Sequence, residues 1–283
     1  MHTHSTALPA ARGTFDEVSV LHDGAAAPIE EAVAEEVPIA LEYNGVSHAV
    51  MFATPADLED FALGFSLTEG ILRERSELYD LEIRGDGEGV TVAMRIATAR
   101  FVELKRHRRA MTGRTGCGLC GTESLDQAVR TLPQVTSAVR IQAAHLHRAF
   151  ESLRVEQRLL SLTGAVHAAA WLDAGGELTH VREDVGRHNA LDKMLGAAVL
   201  AGVDFGSGAA IITSRASYEM VHKAATLNVG LVAAISAPTA LAIRTAERTG
   251  VTLVGFVRGT RHAVYCGRDR LIESPRFVPA LAS

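Results

Sequence analysis

Cysteine is almost missing from this chain. There are three, Cys117, Cys120 and Cys266, among 283 residues. That number is odd and too small for a disulfide framework, so the thiols are expected to be reduced, reactive or metal-bound, as in a cytoplasmic protein. Aromatic residues are scarce at 5%, which argues against a surface that stacks on single-stranded bases. The formal charge of −5 exerts no general pull on nucleic acid. No run reaches the ~18 apolar residues of a membrane span. The opening MHTHSTALPAARGTFDEV lacks the charged-then-apolar pattern of an export signal. Neither a nucleic-acid partner nor a membrane is expected.

What is present is a globular composition, 47% hydrophobic and 22% charged, able to bury a core. At about 100–200 residues per domain the length suits one large domain or two ordinary ones. Residues 1–15 read as a mobile tail. Residues 16–110 read as a smaller α+β domain with one helix. VPIALEYNGVSHAVMFA alternates around Asn44-Gly45, which predicts a tight hairpin, and LEIRGDGEGVTVAMRI predicts a second, turning near Asp86-Gly87. Between them Thr54 and Pro55 suit a helix start, Leu58, Phe61, Ala62 and Phe65 recur at helical spacing, and Gly70 suits a stop. Residues 111–140 hold the cysteine loop and a connecting helix capped by Thr122 or Ser124.

From residue 141 to 272 helices and strands alternate. A long amphipathic helix covers FESLRVEQRLL; strands are expected at AVHAAAWL, ELTHVRE, AAIIT, LVAAIS, VTLVGFV and HAVYC, with helices at NALDKMLGAAVL, SYEMVHKAATLN and TALAIRTAERTG. Apolar runs flanked by helices mark buried, largely parallel strands, and hence a three-layer α/β domain. Residues 273–283 form a C-terminal tail.

The cysteines sit in RTGCGLCGTES, on a glycine hinge just after the basic run Lys105, Arg106, Arg108, Arg109 and Arg114. Basic neighbours and a nearby helix start lower a thiol's pKa, and glycines let such a loop swing. Those properties suit a sulfur carrier whose thiol holds sulfur as a persulfide. The same residues fit a zinc knuckle, although zinc wants four ligands and there is no second pair. They also fit a dithiol oxidoreductase. All three readings stay open on the local sequence.

Other stretches place polar groups at strand-to-helix junctions, where open α/β sheets bind ligands. REDVGRHNALDK crowds Asp184, Arg187, His188, Asn189, Asp192 and Lys193 together. Capping accounts for Asn189 but not for Arg187 with His188, which are expected to meet a ligand. TSRASYEM sets Arg215 beside hydroxyls and a helix start, an anion site, with Ser217 as a helix cap. SAPTALAI opens a helix at Pro238 and Thr239, and GFVRGTR adds Arg258 and Arg261 around Gly259. Together these loops suggest a large anionic ligand such as a nucleotide or pyrophosphate.

LGFSLTEGI, TGCGLCG, HAAAW, EDVGRHNALDK, SRASYEMVHKAA, SAPTALAI and GFVRGTR resemble, in this order, the motifs of the FdhD family, accessory sulfurtransferases for formate dehydrogenase. The resemblance runs from about residue 35 to 272. It implies a cytidine-deaminase-like fold for the second domain. It further implies a persulfide carrier that takes sulfur from a cysteine desulfurase and passes it to the molybdenum bis(molybdopterin guanine dinucleotide) cofactor of formate dehydrogenase. Cys117 takes the place of the persulfide cysteine, with Cys120 assisting. Phe256, Val257, Arg258, Gly259, Thr260 and Arg261 take the place of the guanine-nucleotide segment, and a homodimer is implied. Zinc deaminases need H-x-E and P-C-x-x-C; here Ala169 stands where the Glu would be and no cysteine follows Pro238. His167 is either a ligand contact or a satisfied core histidine. Ala165 and Ser214 depart from family glycines. The rival function is a non-catalytic cofactor chaperone whose C-x-x-C is structural or binds zinc.

Overall fold

The computed structural model describes residues 8–22, 25–86, 89–110 and 131–273. Cys117, Cys120 and the expected helix from Thr122 lie outside the described residues. The strands are β1 (Arg12–His22), β2 (Ala25–Ala34), β3 (Val37–Tyr43), β4 (Val46–Ala53), β5 (Leu78–Asp86), β6 (Gly89–Ile96), β7 (Ile141–Gln142), β8 (His167–Asp173), β9 (Leu178–Asp184), β10 (Gly208–Ile212), β11 (Leu231–Ala234), β12 (Thr252–Arg258), β13 (Arg261–Cys266) and β14 (Leu271–Ile272). The described helices are α1 (Leu58–Thr68), α2 (Thr98–Ala110), α3 (Ala143–Glu156), α4 (Arg158–Thr163), α5 (Arg187–Leu200), α6 (Tyr218–Thr226) and α7 (Ala240–Thr249). Among the described residues no helix is long and apolar enough to cross a membrane.

Two compact units are discontinuous in sequence. Among the described residues, the first takes 8–110, 131–133, 156–170 and 180–203, and the second takes 134–155, 171–179 and 204–273. These bounds run across the sequence ranges given above, because the chain leaves and re-enters each unit.

The first unit is built on a sheet of order β4-β3-β6-β5. Asn44 and Gly45 both take positive φ, 47° and 81°, closing the β3–β4 hairpin as their sequence demands. Alternation buries Ile39, Leu41 and Tyr43 of β3 and Val90, Val92, Met94 and Ile96 of β6. That face packs on α1, where Ser66 Oγ meets the Tyr43 hydroxyl at 2.8 Å. Burial pushes the Tyr43 hydroxyl far above its ordinary pKa. α1 in turn packs on α5 through two glycines. A Cβ on Gly64 would run into the Asp192 carbonyl, and one on Gly196 into the Asp60 carbonyl. The backbones therefore cross at a distance only glycine allows.

Three local expectations are corrected in this unit. Helix α1 starts at Leu58, after Asp57 at φ 53°, not at Thr54-Pro55. Thr54 is instead tied to distant groups: its N–H donates to Asp184 Oδ2 (3.0 Å) and its Oγ1 accepts from the Val185 N–H (3.2 Å). Residues 16–110 hold a second helix, α2, whose basic run defeats an apolar-periodicity reading. Residues 12–15 belong to β1, which with β2 makes a separate two-stranded ribbon rather than a tail.

The expected helix over FESLRVEQRLL is two helices, broken at Gln157. The Glu183 carboxylate accepts from the N–H groups of Leu159 and Leu160, each at 2.8 Å, and so starts α4 afresh.

In the second unit the strand order is β13-β12-β11-β10, continued by the parts of β8 and β9 that lie in residues 171–179. β10, β11 and β12 are parallel and β13 is antiparallel. This is the expected mixed α/β architecture. Its central strands β10 and β11 are apolar throughout, Ala209–Ile212 and Leu231–Ala234 being fully buried. Trp171 closes one end, edge-on to Phe205 at 5.4 Å between ring centroids.

Candidate functional site

Because β10, β11 and β12 run parallel, their carboxyl ends share one edge of the sheet. Three loops leave that edge, and each carries an expected residue. After β10 come Thr213, Ser214 and Arg215; after β11 come Ser236 to Thr239; β12 ends in Phe256, Val257 and Arg258. The loops are tied together. Ala216 bridges to Pro238, the Thr239 N–H donates to the Ala216 carbonyl (3.0 Å), and the Phe256 N–H donates to the Ser236 carbonyl (3.2 Å). Two helices therefore start beside each other at the sheet edge.

Their caps differ. Thr239 accepts from the Ala242 N–H through Oγ1 (3.2 Å) and caps α7 as expected. Ser217 occupies the cap position of α6 but makes no capping bond, which corrects its expected role. Its Oγ is buried with no partner. A buried hydroxyl without a partner is costly, and a ligand oxygen would satisfy it. Arg215 lies exposed two residues earlier.

β12 carries a second irregularity. Phe256 sits at φ 53°, a left-handed conformation unusual for an aromatic residue, and is 43% exposed. The strand register with β13 shifts between Gly255 and Arg258, so Phe256 is part of a bulge. Gly255 is closely approached: a Cβ there would lie 3.0–3.1 Å from Tyr265, Pro238 and the Ser236 carbonyl, tighter than ordinary contact. The bulge leaves Phe256 exposed beside the loops. A two-residue turn then joins Arg258 to its cross-strand partner Arg261 through Gly259, at φ 53°, and exposed Thr260. Val257 alone of this segment is buried. Among the described residues, Arg215, Arg258 and Arg261 enter no ion pair. An exposed aromatic face beside such guanidinium groups can stack a base and bind phosphate.

The first unit carries the other expected pair. Arg187 and His188 form the first turn of α5, capped by Gly186 without a side-chain bond, so Asn189 is not the cap. Asn189 Nδ2 donates instead to Asp184 Oδ1 (3.0 Å) and to the Phe52 carbonyl (2.9 Å). Asp184 also accepts from the Gly186 N–H (2.7 Å), and its Oδ2 lies 2.7 Å from Lys193 Nζ. Lys193 Nζ further donates to the Thr54 carbonyl (2.9 Å). Asp192 accepts from Thr68 Oγ1 (2.7 Å). The motif thus divides: Asp184, Asn189, Asp192 and Lys193 brace the unit, while Arg187 and His188 stand at the helix start, where anions are favoured. His167, at the start of β8, joins them. Burial first, then the charges of Arg187 and His188, holds its pKa below the ordinary value; Asp184 opposes this weakly. His167 thus shares the electrostatics of the Arg187–His188 pair.

Nothing in composition or spacing signals the exposure of Phe256. The same holds for His147 and His262, which meet at 3.0 Å between Nε2 and Nδ1 just beyond Arg261. The Asp184–Lys193 pair had one signal, a lysine inside an otherwise apolar helix.

The model of the FdhD/NarQ family matches residues 34–272. The chain is 56% identical over 241 residues to the sulfur carrier protein FdhD of Cupriavidus necator, covering 85% of this chain and 84% of that one. It is 51% identical over 250 residues to the protein of the same name in Bordetella petrii, covering 88% and 90%. In fold it is similar to the crystal structure of a candidate formate dehydrogenase accessory protein from Desulfotalea psychrophila. That match has a TM-score of 0.72 and 23% identity, and covers 93% of this chain and all of the other.

Proposed function

Because the chain belongs to the FdhD/NarQ family, we propose that it is a sulfur carrier serving formate dehydrogenase, a sulfurtransferase whose persulfide is held on Cys117. Relatives at 50–56% identity bear the sulfur-carrier name, and both cysteines of the glycine hinge are present. The Cys117 thiolate attacks the terminal sulfur of a cysteine desulfurase persulfide. The S–S bond of the donor breaks, its cysteine thiolate leaves, and Cys117 becomes Cys117-S-SH. Attack by Cys120 on the inner sulfur then forms the Cys117–Cys120 disulfide and releases hydrosulfide to the acceptor; a cellular thiol reductant restores the pair.

The acceptor in this reading is the molybdenum bis(molybdopterin guanine dinucleotide) cofactor, bound as substrate. The observation that carries its nucleotide end is the Phe256 bulge, next to the Arg258–Arg261 turn, at the sheet edge where the Arg215 loop is tied in through Ala216 and Pro238. Phe256 stacks the guanine, the guanidinium groups and the Ser217 hydroxyl take the phosphates, and Gly259 and Thr260 leave the backbone approachable. Arg187 and His188 are the anion-binding groups of the first unit. Soluble GDP is the probe for the nucleotide half. Calorimetric titration should show binding that is lost in Arg261→Ala; GDP that binds neither protein, or both equally, overturns this half of the proposal.

A further inference from the structure

Two histidines of the second unit meet without a part in sulfur transfer or nucleotide binding. His147 stands on α3 and His262 on β13, and both elements belong to that unit. His147 Nε2 and His262 Nδ1 lie 3.0 Å apart. The ring centroids are 5.1 Å apart and the rings are tilted by 46°, so they meet by their nitrogen edges rather than face to face. Both side chains are half-buried, held by their surroundings yet open to a small ion. Side chains alternate along β13, so His262 points away from the face that carries Arg261.

A hydrogen bond between two neutral imidazoles accounts for this distance, one nitrogen donating and the other accepting. The distance is also that of a chelate. Two imidazole nitrogens held at about 2.1 Å from one ion, with an angle of about 90–110° between them, stand about 3.0–3.4 Å apart. Little has to move for the pair to close on an ion. Glu151 lies four residues beyond His147 on α3, the spacing that sets two side chains on one helix face. Burial first, then the charge of His262, holds His147 below its ordinary pKa, and the Glu151 charge opposes this. Glu151 is thus near enough to act on the ring, and its charge favours a cation there. Among the described residues no group of three His, Cys, Asp and Glu side chains converges, so the protein supplies two direct ligands and water the rest.

We propose that His147 and His262 chelate one divalent transition-metal ion through Nε2 and Nδ1. Imidazole ligands select zinc, nickel or copper over magnesium and calcium, which prefer oxygen. Of the two facing nitrogens one carries the shared proton. On binding, that ring moves the proton to its other nitrogen, so both facing nitrogens offer a lone pair and no proton is lost from the pair. The ion then joins α3 to β13 across 115 residues of sequence. With water in its other positions the site is open and exchanges its ion reversibly. This inference stands apart from the sulfur-carrier reading and survives its failure.

Zinc chloride is the probe. The thiols of Cys117 and Cys120 and the rings of His2 and His4 also bind zinc, so the full chain is used with those four residues replaced by alanine. Long-range ¹H–¹⁵N spectra report each ring nitrogen separately. Zinc should move the signals of His147 Nε2 and His262 Nδ1 to metal-bound values and leave the other nitrogen of each ring protonated. Calorimetric titration should then show that His147→Ala and His262→Ala each weaken zinc binding at least about tenfold, since even the loss of an outer-shell partner costs about 10–100-fold. The spectra need neither variant, so they decide the matter even where a variant fails to fold. Zinc that moves neither ring overturns the proposal. So does zinc that binds both variants as tightly as their parent, or that binds the parent only at about millimolar concentration.

Discussion

Lys193 Nζ lies 2.7 Å from Asp184 Oδ2, and both side chains are wholly enclosed. Two buried charges are tolerable only when every lone pair and proton is used. Asp184 meets that condition with the N–H groups of Thr54 and Gly186, Asn189 Nδ2 and Lys193. Lys193→Met should therefore leave a buried carboxylate uncompensated and cost roughly 3–5 kcal/mol. Arg187 belongs to the same motif but makes no bond within the brace, and its half-buried side chain leaves Nε enclosed without a partner, so Arg187→Ala should cost much less, about 1 kcal/mol or below. Urea denaturation of the two variants checks this. Equal losses would remove the division of the motif into a brace and a contact pair.

The α1–α5 crossing makes a second prediction. Gly64→Ala and Gly196→Ala should each push the helices apart, since the added methyl meets a backbone carbonyl that cannot rotate away. Overpacking of this kind costs roughly 1–3 kcal/mol or more. Gly259→Ala has open space around it and only an unfavourable φ, so about 1 kcal/mol is expected. Thermal melts that rank Gly259→Ala above the two helix variants in damage would contradict the close crossing.

Phe256 offers a test in which stability and binding move in opposite directions. Its left-handed backbone costs roughly 1–2 kcal/mol for a residue with a Cβ. Phe256→Gly should remove that strain while deleting the ring that stacks the base, a loss of roughly 1–3 kcal/mol in GDP binding. The variant should melt no lower than the parent and bind GDP about tenfold more weakly or worse. A variant that melts lower and binds GDP normally would make the bulge a packing feature with no part in the site.

His167 titrates below its ordinary value of 6.5 through burial and its cationic neighbours. The unfolded chain therefore takes up this proton first as pH falls. The contribution of neutral His167 to stability is present above pH 6.5 and declines below it, down to the folded-state pKa. An anion held by Arg187 and His188 should offset those charges and raise the His167 pKa. Proton NMR of the His167 ring, titrated with and without phosphate, checks both statements. A phosphate-independent His167 titration would remove the anion role of the pair.

Much of this was legible in the chain. Asn44-Gly45 dictates its turn because few residues accept two consecutive positive φ angles. The apolar runs at 209–212 and 231–234 betray parallel strands because both of their faces are covered. Two of the misreadings share one cause, a distant partner that overrides a local preference. Thr54 looks like a helix cap until Asp184 and Lys193, 130 and 139 residues on, claim its backbone. Gln157 looks like mid-helix until Glu183 caps the next helix from outside. Ser217 holds the cap position without the bond. The strain at Phe256 leaves no trace in composition or period, since it arises from a register shift between β12 and β13. Cys117 and Cys120 remain assignments of motif and family, for they lie outside the described residues.

That Cys117 carries sulfur is the claim on which the proposed function stands. Intact-protein mass spectrometry after incubation with a cysteine desulfurase and cysteine tests it directly, with Cys117→Ala and Cys120→Ala in parallel. A gain of one sulfur that dithiothreitol removes is expected in the parent chain and in Cys120→Ala, and its loss in Cys117→Ala. Sulfur that loads equally well on Cys117→Ala, or on none of the three proteins, would contradict it.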